Sequence, residues 1–159
     1  MDSILDFFED LKPLEVAVGH TVLMEGTVTN RLCVLLDGVL QVHRNEVTVA
    51  LISEPGAILG EMSILLGEPH TASVRSIAPS RVYLVDNARE FLASRPQLLF
   101  PIARLLARRL QNSTSYLVDL KKQFQDQTDH MSMVADVLAS LSYQQDSISP
   151  PNDDDKVKN

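Results

Sequence analysis

A single cysteine, Cys33, leaves no intramolecular disulfide and no cysteine spacing for a metal. It lies in the apolar run Leu32-Cys33-Val34-Leu35-Leu36 and reads as a small buried hydrophobe. The histidines His20, His43, His70 and His130 are scattered, with no His-x-x-x-His or Cys–His spacing. Ser63 and Ser73 have no base assembled beside them in sequence. No metal, cofactor or catalytic residue is therefore expected, and the chain reads as a non-enzyme. Long apolar runs are also missing, and a membrane span needs about 20 such residues. The start, Met1 to Asp10, is acidic and lacks the basic stretch of a signal peptide. Together these point to the cytoplasm. Basic charge is scarce too: 14 Lys and Arg against 21 Asp and Glu, a net charge of −7. That argues against a surface built to grip nucleic acid.

Glycine disappears after Gly67. All six glycines, Gly19, Gly26, Gly38, Gly56, Gly60 and Gly67, punctuate the first half. Between them lie short strand-like runs: 22–24, 32–36, 39–43, 47–52, 71–77 and 81–85. Short strands with frequent turn signals predict an antiparallel, jelly-roll-like β-roll over about residues 14–86. The run 32–36 is apolar throughout and predicts burial on both faces. Asn87, with Glu90 three residues on, predicts a capped short helix over 88–93. The fold class is thus α+β: a β-roll with flanking helices and a long C-terminal coiled-coil helix.

That last helix is predicted to start at Gln97 or Leu98, after Pro96. With Ala103 as heptad position a, the a positions are Ala103, Leu110, Leu117, Phe124, Met131 and Leu138. The d positions are Leu106, Ser113, Leu120, Gln127, Val134 and Leu141. Only Ser113 and Gln127 interrupt the apolar seam, which has coiled-coil character. At 1.5 Å per residue it would extend roughly 60 Å, more than one small roll can cover. A second copy is the simplest partner, so a homodimer is expected. Asp126-Gln127-Thr128-Asp129-His130 is poor in helix formers and is the place for a break. The expected domains are residues 1–96 (roll and short helices), 97–142 (dimerisation helix) and 143–159 (an acidic, disordered tail).

The stretch Gly60-Glu61-Met62-Ser63-Ile64-Leu65-Leu66-Gly67-Glu68-Pro69-His70-Thr71-Ala72-Ser73-Val74 carries the functional signal. A glycine and a carboxylate precede one turn of helix, whose free N–H groups favour an anion. A carboxylate beside an anion makes sense if it accepts a hydrogen bond from a sugar hydroxyl. A Gly-x-Pro turn and a strand entry follow.

This stretch resembles the phosphate-binding cassette of cyclic-nucleotide-binding domains, in register throughout. The turns at Glu25-Gly26, Leu36-Asp37-Gly38 and Pro55-Gly56 are similarly placed. Leu106-Ala107-Arg108-Arg109-Leu110-Gln111 resembles the start of the dimerising helix in bacterial catabolite-activator-type regulators. The resemblance, spanning about residues 14–125, implies a ligand site at Gly60, Glu61, Met62, Ser63, His70, Thr71 and Ala72. Glu61 would meet the ribose 2′-hydroxyl, and Gly60 with the amides of Thr71 and Ala72 would line the phosphate. Ser113 and Thr114 would touch the base. The implied ligand is cAMP or cGMP, with Thr71 a hint toward cGMP. The implied role is a dimeric regulator that signals to a protein effector. No helix-turn-helix pattern follows the dimer helix, so direct DNA reading is not expected.

One residue departs from the pattern. The family's phosphate-binding arginine is His70 here, largely neutral near pH 7 rather than a fixed planar cation. Losing one partner of a buried charge pair costs roughly 2–5 kcal/mol, one to nearly four decades of affinity. Arg75, on the opposite face of a regular strand, does not replace it. Two readings follow. Either His70 takes a proton and a nucleotide still binds, or the roll is a degenerate, ligand-free scaffold acting through its coiled coil.

Overall fold

In the computed structural model, residues 3–125 and 128–143 are described. They divide into two compact units, one ending at Ala107 and the other beginning at Arg108. The first unit holds eight strands: β1 (Leu14–Val16), β2 (Thr21–Leu23), β3 (Leu32–Asp37), β4 (Leu40–Arg44), β5 (Val47–Ile52), β6 (Ile58–Leu59), β7 (Ser73–Ser76) and β8 (Ser80–Val85). They form two antiparallel sheets, ordered β1-β8-β3-β6 and β2-β7-β4-β5. This is the expected β-roll. β1 and β6, too short to show a period, were not legible in the sequence. The strand predicted from Thr71 starts later, at Ser73.

Alternation along β3 explains why residues 32–36 are apolar throughout. Leu32 and Val34 point to one core, Cys33 and Leu35 to another, and all four are fully buried. β8 alternates in step, with Val82 on the Cys33 side and Tyr83 and Val85 on the Leu32 side. The inner core lies between the sheets and joins Val16, Leu35 and Val82 to Val22, Leu40 and Val74. Burial raises the Cys33 thiol pKa to about 12, so it stays an inert hydrophobe.

The outer core is covered by helices. Phe8, at the end of a 3-10 turn (Ile4–Phe8), is buried and stacks on Tyr83 and Phe91, at 6.1 and 5.3 Å between ring centroids. The acidic N-terminal segment therefore carries a core residue. α1 (Glu61–Leu66) contributes Ile64, and α2 (Ala88–Ser94) contributes Ala88 and Leu92. α3 (Leu99–Gln123) starts after a 3-10 turn at Pro96–Leu98 and contributes Ile102. Leu105 and Leu106 pack against this core as well, so the seam residue Leu106 is partly used by its own domain.

α2 is not capped as the sequence suggested. Asn87 makes no side-chain cap bond. Asn30, from the loop before β3, does the work instead. Its Oδ1 accepts the Arg89 N–H at 2.9 Å and its Nδ2 donates to Glu90 Oε2 at 2.8 Å. Its carbonyl accepts the Ala88 N–H at 3.0 Å. The remote amide reaches the orphan N–H groups of the first turn, which an Asn87 side chain does not.

In the second unit α3 ends at Gln123, with a turn at Phe124–Gln125, and α4 spans Thr128–Tyr143. The helix expected over 97–142 thus turns at Phe124–Gln125, beside the run where the sequence placed a break, and α4 begins at Thr128. The predicted tail, beyond Tyr143, lies outside the described residues. No described helix is long and apolar enough to cross a membrane.

Candidate functional site

Gly60 is the pivot of the cassette. It precedes α1 with φ +91°, a left-handed conformation that favours glycine. A Cβ there would sit 2.8 Å from the Arg31 carbonyl oxygen, 3.1 Å from Leu23 Cδ1 and 3.4 Å from His70 Cε1. The lack of a side chain lets three segments converge: the end of β2, the entry to β3 and the cassette. Glu61 is next, only 1% exposed. A carboxylate taken out of water is costly unless it is bonded, and Glu61 does have an interaction partner. Ser63 is buried, and its hydroxyl donates to the Glu68 carbonyl, tying the helix to the turn after it. Met62 and Thr71 are exposed and Ala72 is half-buried.

His70 is held on all sides. Its N–H donates to the Thr27 carbonyl at 2.9 Å, and its carbonyl accepts the Gly26 N–H at 2.8 Å. Its Nε2 lies 2.6 Å from Thr29 Oγ1, the tautomer deciding which atom donates. The residue is 5% exposed. Burial pushes its pKa below the ordinary histidine value, and the positive charge of Arg31 pushes the same way. The imidazole is thus a neutral strut between the cassette and the loop before β3.

The chemistry of the site extends into that loop, which the sequence reading passed over. Thr29 binds His70, Asn30 caps α2, and Arg31 pairs with Asp86, its Nε and Nη2 both 2.8 Å from Oδ1. A signal was present: Thr29-Asn30-Arg31 are polar residues leading directly into a strand buried on both faces. Arg75 lies exposed on β7 and donates from Nε to Gln41 Oε1 at 2.6 Å.

The residues matched by the Cyclic nucleotide-binding domain family profile, 13–93, cover the whole roll, the cassette and most of α2. The chain belongs to the cyclic nucleotide-binding domain family. It is 31% identical over 124 residues to a CRP-like cAMP-activated global transcriptional regulator of Mycobacterium tuberculosis, covering 74% of this chain and 55% of that protein. It is 28% identical over 87 residues to the cGMP-dependent protein kinase egl-4 of Caenorhabditis briggsae, covering 55% of this chain and 12% of the kinase. A solved cyclic nucleotide-binding domain from Methylobacillus flagellatus superposes with a TM-score of 0.60 at 23% identity, over 74% of this chain and 82% of that one. The chain spans about half the length, or less, of the curated relatives it matches.

In the first unit Gly60 and His70 lie side by side, and Glu61 and Ser63 follow Gly60 in α1. Ser113 and Thr114 belong to the second unit, where both are exposed. Of the seam residues there, Leu110 and Leu141 are exposed, while Leu117, Leu120, Phe124, Val134 and Leu138 are half-buried. Ala103 is exposed in the first unit. The side chain of Met131 lies outside the described residues. Among the described residues, no group of three or more His, Cys, Asp and Glu side chains is arranged to hold a metal ion.

Proposed function

We propose that this chain is a non-catalytic regulatory module of the cytoplasm that binds cAMP or cGMP at its cassette and signals to a protein effector as a homodimer. The observation that carries the reading is the buried carboxylate of Glu61 directly after a side-chain-free Gly60. This is the pairing that a ribose hydroxyl and a closely approaching phosphate require. Gly60, Glu61, Met62, Ser63, His70, Thr71 and Ala72 form the proposed ligand surface. The names of two matched relatives, one cAMP-activated and one cGMP-dependent, support either nucleotide. The heptad positions along α3, from Ala103 to Leu120, support the dimer, with Leu110 the most exposed leucine among them.

A second reading rests on His70. Its ring already has a partner in Thr29, and burial favours its neutral form. A ligand-free scaffold acting through helix pairing would need nothing more of it.

Titration calorimetry with cAMP and cGMP, at about pH 6 and about pH 7.5, separates the two. The sensor reading expects heat of binding in the unmodified protein. Tighter binding at the lower pH would make protonated His70 a phosphate ligand. Silence in the unmodified protein and in His70→Arg sinks the sensor reading. In the scaffold reading, Glu61→Ala leaves effector binding intact while Leu120→Asp abolishes it.

A further inference from the structure

A cyclic phosphate carries a negative charge, and the neutral His70 offers it none. Arg31, Arg75 and Arg89 come from elements that border the cassette. Arg75 is committed to Gln41 on an exposed face. Arg89 donates from Nη2 to the Ile64 carbonyl at 3.3 Å, near the C-terminal end of α1, where a cation is electrostatically at home.

Arg31 is placed differently. It stands one residue before β3, at the loop that meets the cassette. Its carbonyl oxygen touches the position where a Gly60 Cβ would be, and the same position is 3.4 Å from the His70 ring. Its charge is felt at that ring. The guanidinium is held by Asp86. Nε and Nη2 share a single oxygen of Asp86, and the two side chains are 39% and 70% exposed. An exposed ion pair of this kind contributes little, so a better anion displaces it readily.

We propose that Arg31 supplies the positive charge for the ligand's cyclic phosphate in place of the arginine missing at position 70. The inference rests on the cyclic-nucleotide reading above. In it, Arg31 exchanges the single Asp86 oxygen for phosphate oxygens, to which its planar fork is suited. The exchange links ligand to helix. Asp86 precedes α2, and Asn30, next to Arg31, caps α2 through Arg89 and Glu90.

The test is calorimetric titration of the full chain with cAMP, cGMP and the matching uncharged nucleosides. Arg31→Gln is expected to weaken the better cyclic nucleotide about 10- to 100-fold, the loss of a charge-assisted contact. Arg31→Lys should recover part of it, and nucleoside binding should not change. Asp86→Asn, which keeps the cation and removes its competitor, should tighten cyclic nucleotide binding. It serves as the deciding variant if Arg31→Gln does not fold. Unchanged nucleotide affinity in Arg31→Gln, or weakened affinity in Asp86→Asn, overturns the proposal while the ligand reading stands. So does a silent unmodified protein beside a binding His70→Arg. Silence in both of those overturns the ligand reading and the role of Arg31 together.

Discussion

The roll and the helical unit after it use apolar residues in different ways. In the roll, Leu32, Cys33, Val34 and Leu35 are all sealed from solvent, each row of the strand serving its own core. In the second unit, Leu110 is 63% exposed, and Tyr116, Val118, Met133, Val137 and Leu141 are also exposed. Both regions are rich in leucine and valine. The roll closes on itself because period-two alternation gives a sheet two faces to bury. A helix stripe has one face, and α3 spends only its first turns, through Ile102, Leu105 and Leu106, on the core of the roll. The lesson is that stability of the roll and function of the helices should respond to different substitutions.

Leu35→Ala tests this most severely. It opens a cavity between the sheets and should lower unfolding free energy by about 2–5 kcal/mol in urea titration. Leu110→Asp should leave that unfolding curve nearly unchanged and dissociate the proposed dimer in sedimentation. A monomer of unchanged mass before and after the substitution would remove the seam from the argument. Gly38→Ala strikes the roll from its turn. The added Cβ would fall 2.2 Å from Ser80 Oγ and 2.6 Å from Ser80 Cα, at φ +99°. A loss of about 2–3 kcal/mol is expected, from crowding and the forced left-handed backbone together. No such response is expected of an exposed helix position.

Asn30→Ala should cost about 1–2 kcal/mol by removing the α2 cap, while Asn87→Ala should change little. Equal effects from the two would mean that α2 is capped locally after all. Glu46→Gly runs in the opposite direction. Asn45 and Glu46 form the β4–β5 turn with φ +48° and +64°, the geometry of a type I′ turn. Glycine at the second position should raise stability by about 1 kcal/mol. The smallest effect is the titration of His70. Its folded pKa is lowered, so the unfolded chain binds the extra proton first. Its contribution is complete above the unfolded value of about 6.5 and fades as pH falls through the lowered folded value. Stability should therefore decline below about pH 6.5, and His70→Gln should reduce that slope in thermal unfolding followed against pH.

Much of the site was legible because its backbone demands are written in residue types. Gly60, Gly67 and Pro69 mark turns, and Glu61 with His70 stands in register with a known cassette. Thr29-Asn30-Arg31 stood out only as polar residues before a buried strand, and their roles were not legible, because their partners, His70, Arg89, Glu90 and Asp86, lie far along the chain. Local propensity also misassigned the cap of α2. Asn87 has the right chemistry at the right spacing, yet a side chain 57 positions earlier is the one that arrives at the helix end.

The sequence by itself determined the roll, its turns and the two-faced burial of β3. Each follows from a period or a backbone restriction spanning only a few residues. The tertiary structure alone decided that Phe8 belongs to the core, that Asn30 caps α2, and that His70 is a buried neutral strut with Arg31 at its side. Those are meetings between distant segments. Burial, the physical quantity that sets the charge of a histidine and the worth of an ion pair, exists only once the segments have met.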